Sequence, residues 1–316
     1  MSEKFEFKAL ASAMAADGEN PYQGDLFVCN IANWPIKDDI ASMEIPLFSL
    51  SKNKDLETRE YRRGNKTIRV IPPSVGAATV FDKDLLIYVA SQIVEALNQG
   101  RPVSRTVQVD SYDFILSTAR SDGSASFDRI VDMLRRLRGT TIETNIETGG
   151  VRQLEGFSLI ESYKVIETTK NKKGAIRFTV TVSEWLYNGL LKYEVLTLDP
   201  AYFRLSKSIE KRLYEIARKH CGDQTMWKIN IDLLAEKVGT SRPRRQFRSE
   251  LRDVIKTDAL PEYRLALDHA TDPDTVVFYT RNSAKLAKQL MATPEQAVWF
   301  CGLEKGSTHE TEKLAR

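Results

Sequence analysis

Five arginines fall within eleven residues, at Arg242, Arg244, Arg245, Arg248 and Arg252, and Glu250 is the only acid among them. A guanidinium offers five N–H donors in a planar fork and keeps its charge at any ordinary pH. Its natural partners are phosphate oxygens and the O6/N7 edge of guanine. Arg245, Arg248 and Arg252 stand at i, i+3 and i+7, which lines them along one face of a helix. Phe247, Leu251 and Val254 or Ile255 then fall on the opposite, inward face. An ordinary solvated helix face is the bland alternative, and it suits a mixed-charge run better than one with a single acid. The chemistry indicated is contact with DNA phosphates and base edges.

The segment just before these arginines could position them. Leu234-Ala235-Glu236-Lys237-Val238-Gly239-Thr240-Ser241 reads as the corner of a helix-turn-helix. Ala235 is small enough for a close helix crossing, Gly239 suits a left-handed turn, Ser241 can cap the next helix and Pro243 fits its first turn. A second basic helix is expected near residues 125–138, where Arg129, Arg135, Arg136 and Arg138 lie opposite Phe127, Ile130, Val131, Leu134 and Leu137. Asp128 and Asp132 interrupt it, so a structural helix explains it as well as DNA contact does. Lys170, Lys172 and Lys173 form a basic turn between two strands, either a wing that tracks phosphates or a plain charged hairpin.

A different pattern lies near the start. Gln23-Gly24-Asp25-Leu26-Phe27 resembles the Q-L-[S/D]-L-F peptide that docks on the bacterial replicative sliding clamp, with Gly24 where that motif has Leu. Its logic is two apolar anchors in adjacent pockets and a glutamine reaching a polar one. The residues expected of the motif are Gln23, Asp25, Leu26 and Phe27.

Catalysis finds little support. His220, His269 and His309 are isolated, so neither HxH nor HExxH occurs, and no metal is expected. A rolling-circle initiator would need a metal-binding histidine pair beside its nucleophilic tyrosine. There is no GxxxxGK[ST] phosphate loop. Cys29, Cys221 and Cys301 are far apart, which suits reduced cytoplasmic thiols better than a disulfide framework. No cofactor is expected, and no apolar run is long enough to predict a membrane span.

Around these residues, the periodicity predicts an α+β protein. Residues 1–45 are acidic and weakly patterned, an expected arm. Residues 46–199 are expected to form one domain: a helix through Leu85, Val89, Ile93 and Leu97 with Asp82 as N-cap, a strand at 105–109, two further helices, and strands at 140–146, 154–168 and 176–182. Residues 200–285 repeat that order, and 286–316 are an expected tail. Each half reads as a winged helix, so the architecture expected is a tandem pair. The net charge of +3 averages unlike segments. Residues 1–50 carry 3 basic and 8 acidic side chains, whereas 200–285 carry 17 and 12.

With these features together, the chain resembles the replication initiator protein A family of plasmid initiators and, more distantly, TrfA-like initiators. The resemblance spans roughly residues 23–282. It rests on Leu26-Phe27 before Asn33-Trp34-Pro35, on Pro46-Leu47-Phe48 with Asn53-Lys54, on Arg212-Leu213-Tyr214 and on the helix-turn-helix at 234–252. It implies a non-enzymatic, cytoplasmic protein whose two winged helices bind repeated double-stranded origin DNA (iterons). It further implies a homodimer through the first domain, help in opening the origin, and recruitment of host initiator, helicase and clamp. Short of that resemblance, a winged-helix transcriptional regulator fits the same residues.

Overall fold

The computed structural model describes residues 27–28, 34–63, 66–120, 127–148, 151–168 and 175–305. The chain divides into two compact units. The first takes residues up to Ser42 and Leu47–Leu198, and the second takes Met43–Pro46 and everything from Asp199.

In the first unit, β1 (Phe27–Val28) and β2 (Ile36–Asp39) lead to a short helix, α1 (Ile40–Glu44), whose last two residues belong to the second unit. Hairpin strands β3 (Arg59–Arg63) and β4 (Lys66–Ile71) precede α2 (Lys83–Asn98). Strand β5 (Thr106–Asp110), α3 (Ser111–Ser117) and α4 (Phe127–Gly139) follow, then β6 (Thr141–Thr148), β7 (Val151–Ser158), β8 (Ile160–Thr168) and β9 (Ala175–Val182). Helix α5 (Glu184–Leu191) and β10 (Val195–Leu198) close the unit. The strands form sheets ordered β1-β5-β9-β8 and β3-β4-β6-β7, and a ribbon of β2 with β10.

Two sequence expectations change here, and residues 52–69, basic and polar with no element expected, gain one. Residues 36–44, read as arm, are built into the fold. Strand β2 pairs with β10, and Asp38 forms an ion pair of 2.7 Å with Lys83 in which both side chains are almost fully buried. Those partners lie far along the chain, so no local periodicity announces them. The basic stretch before Arg69 contains the β3–β4 hairpin, paired from Arg59↔Val70 to Arg63↔Lys66. The long strand expected over 154–168 is two strands in different sheets, and the chain changes sheets at Leu159. Gly156 sits within β7 and no glycine or proline stands at Leu159 itself, so a β-prone run hides the change.

In the second unit, a 3-10 turn (Pro200–Arg204) precedes α6 (Ser208–His220), β11 (Met226–Asn230), α7 (Ile231–Val238), α8 (Arg244–Thr257), β12 (Tyr263–Asp268) and β13 (Thr275–Thr280). Helices α9 (Ser283–Ala292) and α10 (Pro294–Cys301) lead to β14 (Glu304–Lys305), and the sheet order is β11-β13-β12-β14. Residues 286–305 are therefore not a loose tail. Phe300 and Leu303 pack with Ala266, Val277 and Tyr279, and β14 pairs with β12 at Leu267↔Glu304. Met291 and Val298 stay exposed, which shortens the apolar stripe below what periodicity detects.

The two units share a connection pattern. In each, the strand before the short helix pairs with the last strand of a hairpin, giving β5-β9-β8 and β11-β13-β12. In each, the last residue of that strand caps the next helix. Asp110 Oδ1 accepts from Tyr112 N at 2.9 Å, and Asn230 Oδ1 accepts from Asp232 N at 2.8 Å. Both bonds satisfy a first-turn N–H that has no partner within its helix. The first unit differs by inserting β6 and β7 between α4 and its hairpin.

Candidate nucleic-acid interface

The corner between α7 and α8 is set by backbone chemistry. Gly239 adopts φ 80°, ψ 32°, a left-handed conformation in which a side chain would be strained. Gly239 N and Thr240 N donate to Ala235 O at 2.9 and 3.2 Å and close α7. Helix α8 begins at Arg244, with Pro243 in the capping position and no side-chain cap. The Ser241 cap expected from the sequence is thus displaced, because the extended Pro243 starts the helix two residues later. Phe247, Leu251, Val254 and Ile255 form the buried face. Their burial fixes which side of α8 the arginines present.

The structure gives each arginine a different situation. Arg242 pairs with Glu250. Arg244 Nε donates to Asp232 Oδ1 at 2.7 Å, and its Nη2 bonds the other carboxylate oxygen. Arg248 Nε lies 2.5 Å from Asp274 Oδ2, an ion pair without hydrogen-bond alignment. Arg252 Nε donates to both oxygens of Glu304, at 2.9 and 3.2 Å. Arg245 is exposed and, among the described residues, has no hydrogen-bond or ionic partner. The sequence shows one acid inside this run, but the fold brings Asp232, Asp274 and Glu304 to it from other elements.

His269 completes this set, although in the sequence it stands as an isolated histidine. Its Nε2 hydrogen-bonds Glu304, and its Nδ1 lies 3.3 Å from Asp274 Oδ2. The bond to Glu304 raises its pKa above the ordinary histidine value against a smaller cost of burial. Burial pushes the Glu304 carboxyl up, but the bonds from His269 and Arg252 prevail and lower it. Only spatial pairing links residues 248, 252, 269, 274 and 304, so no spacing rule could have found them.

A second network holds the base of α7. Arg212 donates to the carbonyls of Lys237 and Met43 and to Glu215, with bonds of 2.7–3.1 Å. Glu44 lies 3.1 Å from Lys219 Nζ and 3.1 Å from His220 Nε2, and 2.5 Å from Lys237 Nζ. Burial would raise the Glu44 carboxyl, but bonds from Lys237 and Lys219 hold it at about 2. Burial, aided by the Lys237 charge, lowers His220 to about 4, so the imidazole is neutral as it stacks on Trp227.

In the first unit, the α4 arginines do not act as one set. Arg136 turns inward and grips Asp82 with two bonds of 2.7 Å. Asp82 also accepts from Thr79 N and Oγ1, so it occupies the N-cap position of α2 but bonds no helical N–H there. Arg136 is accordingly a structural residue, which its sequence position among other arginines could not show. Arg129, Arg135 and Arg138 are exposed; Arg135 pairs with Asp132 at 3.2 Å and Arg138 Nη1 lies 3.3 Å from Ser158 Oγ. Lys170, Lys172 and Lys173 lie outside the described residues, as do Gln23, Asp25 and Leu26. Phe27 is described as backbone alone, pairing with Val107 in parallel.

Among the described residues, no group of His, Cys, Asp and Glu could hold a metal ion, and no helix is long and apolar enough to cross a membrane.

A family model described as replication initiator protein A matches residues 37–265. A replication protein of Wigglesworthia glossinidia brevipalpis is 36% identical over 231 residues, covering 72% of this chain and 84% of that relative. Among solved structures, domains 2 and 3 of RctB superpose with a TM-score of 0.55 at 12% identity, covering 76% of this chain and 98% of the other. At that identity the likeness concerns the fold alone.

Proposed function

Because the chain belongs to the replication initiator protein A family, we propose that it is a plasmid replication initiator that binds repeated double-stranded origin DNA. The observation that carries this reading is α8. Its apolar face is buried, it follows directly on the Gly239 turn, and its outer face carries Arg245, Arg248 and Arg252. A second helix after such a turn is the element that enters a major groove, and arginines near its start reach guanine edges and phosphates.

The shared sheet orders β5-β9-β8 and β11-β13-β12 support reading both units as winged helices, with β8–β9 and β12–β13 as wings. In the first unit Arg129, Arg135 and Arg138 remain candidates for DNA contact, and Lys170, Lys172 and Lys173 for the wing tip. Arg136 supports them from behind through Asp82. Binding several repeats would supply the free energy for distorting adjacent DNA, a cost repaid by contacts. No reaction is assigned to the protein. Dimerisation through the first unit, a cytoplasmic site of action, and recruitment of host initiator, helicase and sliding clamp belong to the same proposal.

The test is replication itself. The gene with its flanking DNA is placed on a vector that cannot replicate in the host. Stable plasmid recovery is expected, together with protection of repeats spaced at about two helical turns. Protection of DNA without replication would replace this reading with a transcriptional regulator.

A further inference from the structure

The DNA-facing arginines of α8 are not simply exposed cations. Arg252 is held by Nε to both carboxylate oxygens of Glu304, and Arg248 Nε sits against Asp274. His269 bridges the two acids, with Nε2 on Glu304 and Nδ1 at 3.3 Å from Asp274. The anchors are firm. The Asp274 carboxylate is about nine-tenths buried, and Ile231 N donates to Asp274 O at 2.9 Å. Glu304 is fixed by pairing with Leu267. One carboxylate from outside the helix-turn-helix therefore takes the Nε–H of Arg252, and a second lies as an ion-pair partner against the Nε of Arg248, one turn away.

Holding Nε has a chemical consequence. Among the described residues no acceptor takes the Nη N–H bonds of either guanidinium, and one from each Nη makes the pair of donors that fits guanine O6 and N7. The same carboxylates cancel the arginine charge as an approaching phosphate meets it. A phosphate must then displace one anion to gain another, with little counterion release. A guanine edge carries no net charge and does not have to compete in this way.

We propose that Glu304 and Asp274 are specificity-determining positioning residues. They present the Nη forks of Arg252 and Arg248 to base edges and oppose contact with the phosphate backbone of arbitrary sequence. This rests on the DNA-binding reading of α8 given above.

The experiment compares the full chain with Glu304→Gln, and with Asp274→Asn as the independent second variant. Two fluorescein-labelled duplexes are titrated across a salt series: one carrying the sequence protected by the chain in the DNA flanking the gene, and one shuffled to the same length and composition. Thermal melting confirms that each variant is folded. For Glu304→Gln, the shuffled duplex is expected to bind about eightfold tighter at about 0.1 M salt, with a salt slope steeper by about 0.9, the contribution of one liberated phosphate contact. Preference for the repeat duplex falls accordingly. In an Arg252→Ala background the same substitution is expected to give no gain, which a merely structural role for Glu304 would not produce. Unchanged affinity and slope on the shuffled duplex in both acid variants overturns the proposal. If the unmodified chain fails to bind the repeat duplex at all, the DNA-binding reading of α8 falls first, and this inference with it.

Discussion

Arg245→Ala is the substitution that isolates DNA contact from folding. Arg245 lies in the first turn of α8, is exposed, and has no partner among the described residues. Removing it strands no acid, and alanine is at least as good a helix former. The stability change should stay within about 0.5 kcal/mol, which is about 1–3 °C in melting temperature for a unit of this size. Arg248→Ala is less clean, since it would leave the buried Asp274 carboxylate with His269 alone. The effect on binding depends on what Arg245 touches. A phosphate contact contributes about 0.9 to the salt slope, or about eightfold in affinity at about 0.1 M salt, for every sequence alike. A bidentate guanine contact is worth about 1–3 kcal/mol, roughly 5–150-fold, and only on the repeat sequence. Anisotropy titrations on repeat and shuffled duplexes at several salt concentrations separate the two. Wild-type affinity and slope on both duplexes, with unchanged melting, would refute the assignment of this face of α8 to DNA.

Acid should weaken the second unit in two steps. Folded His220 refuses a proton until about pH 4, whereas the unfolded residue accepts one near 6.5, so its contribution is lost as pH falls from about 6.5 to 4. Glu44 titrates at about 2 when folded against 4.5 when unfolded, and its contribution drains away across that lower interval. Chemical denaturation at a series of pH values measures both, and His220→Phe, which keeps a ring on Trp227, should flatten the upper step. Arg136→Ala should cost about 1.5–3 kcal/mol by leaving Asp82 short of its charged partner, and should lower the melting temperature of the first unit; an unchanged melt would restore Arg136 to the DNA-facing set. Leu26→Ala with Phe27→Ala should abolish capture on immobilised sliding clamp while duplex affinity stays at the wild-type level. Undiminished capture would discard the peptide.

Local chemistry was legible in the sequence wherever neighbours in the chain are neighbours in space. The α7–α8 corner is largely such a case: the left-handed Gly239 follows from its missing side chain and the inward Phe247–Leu251–Ile255 face from helical spacing, although the Ser241 cap gave way to Pro243. What the sequence concealed depends on distant partners. Ile36–Asp39 has little pattern of its own and becomes a strand because β10 lies beside it and Lys83 meets Asp38. The run 154–168 reads as one β-prone stretch, and no turn residue at Leu159 says that its halves join different sheets. Arg136 differs from Arg135 and Arg138 only in the direction that α4 turns it.

Charge counting fails in the same way and for the same reason. An excess of basic residues over 200–285 suggests a positive face on α8, but an electrostatic field is set by what lies within about a Debye length, roughly 10 Å, and not by what is adjacent in sequence. Asp232, Asp274 and Glu304 arrive from α7, from the edge of β13 and from β14, and Glu250 from α8 itself. Four of the five arginines thereby lose much of their long-range pull while keeping N–H donors for short-range contact. If the protein searches for a few repeats among a large excess of other DNA, as proposed, that exchange serves it, because affinity for phosphate is common to all sites and base-edge geometry is not. On the proposed reading, Arg245, which has no partner among the described residues, is the residue through which the second unit would first feel DNA, and the paired arginines would decide which DNA is kept.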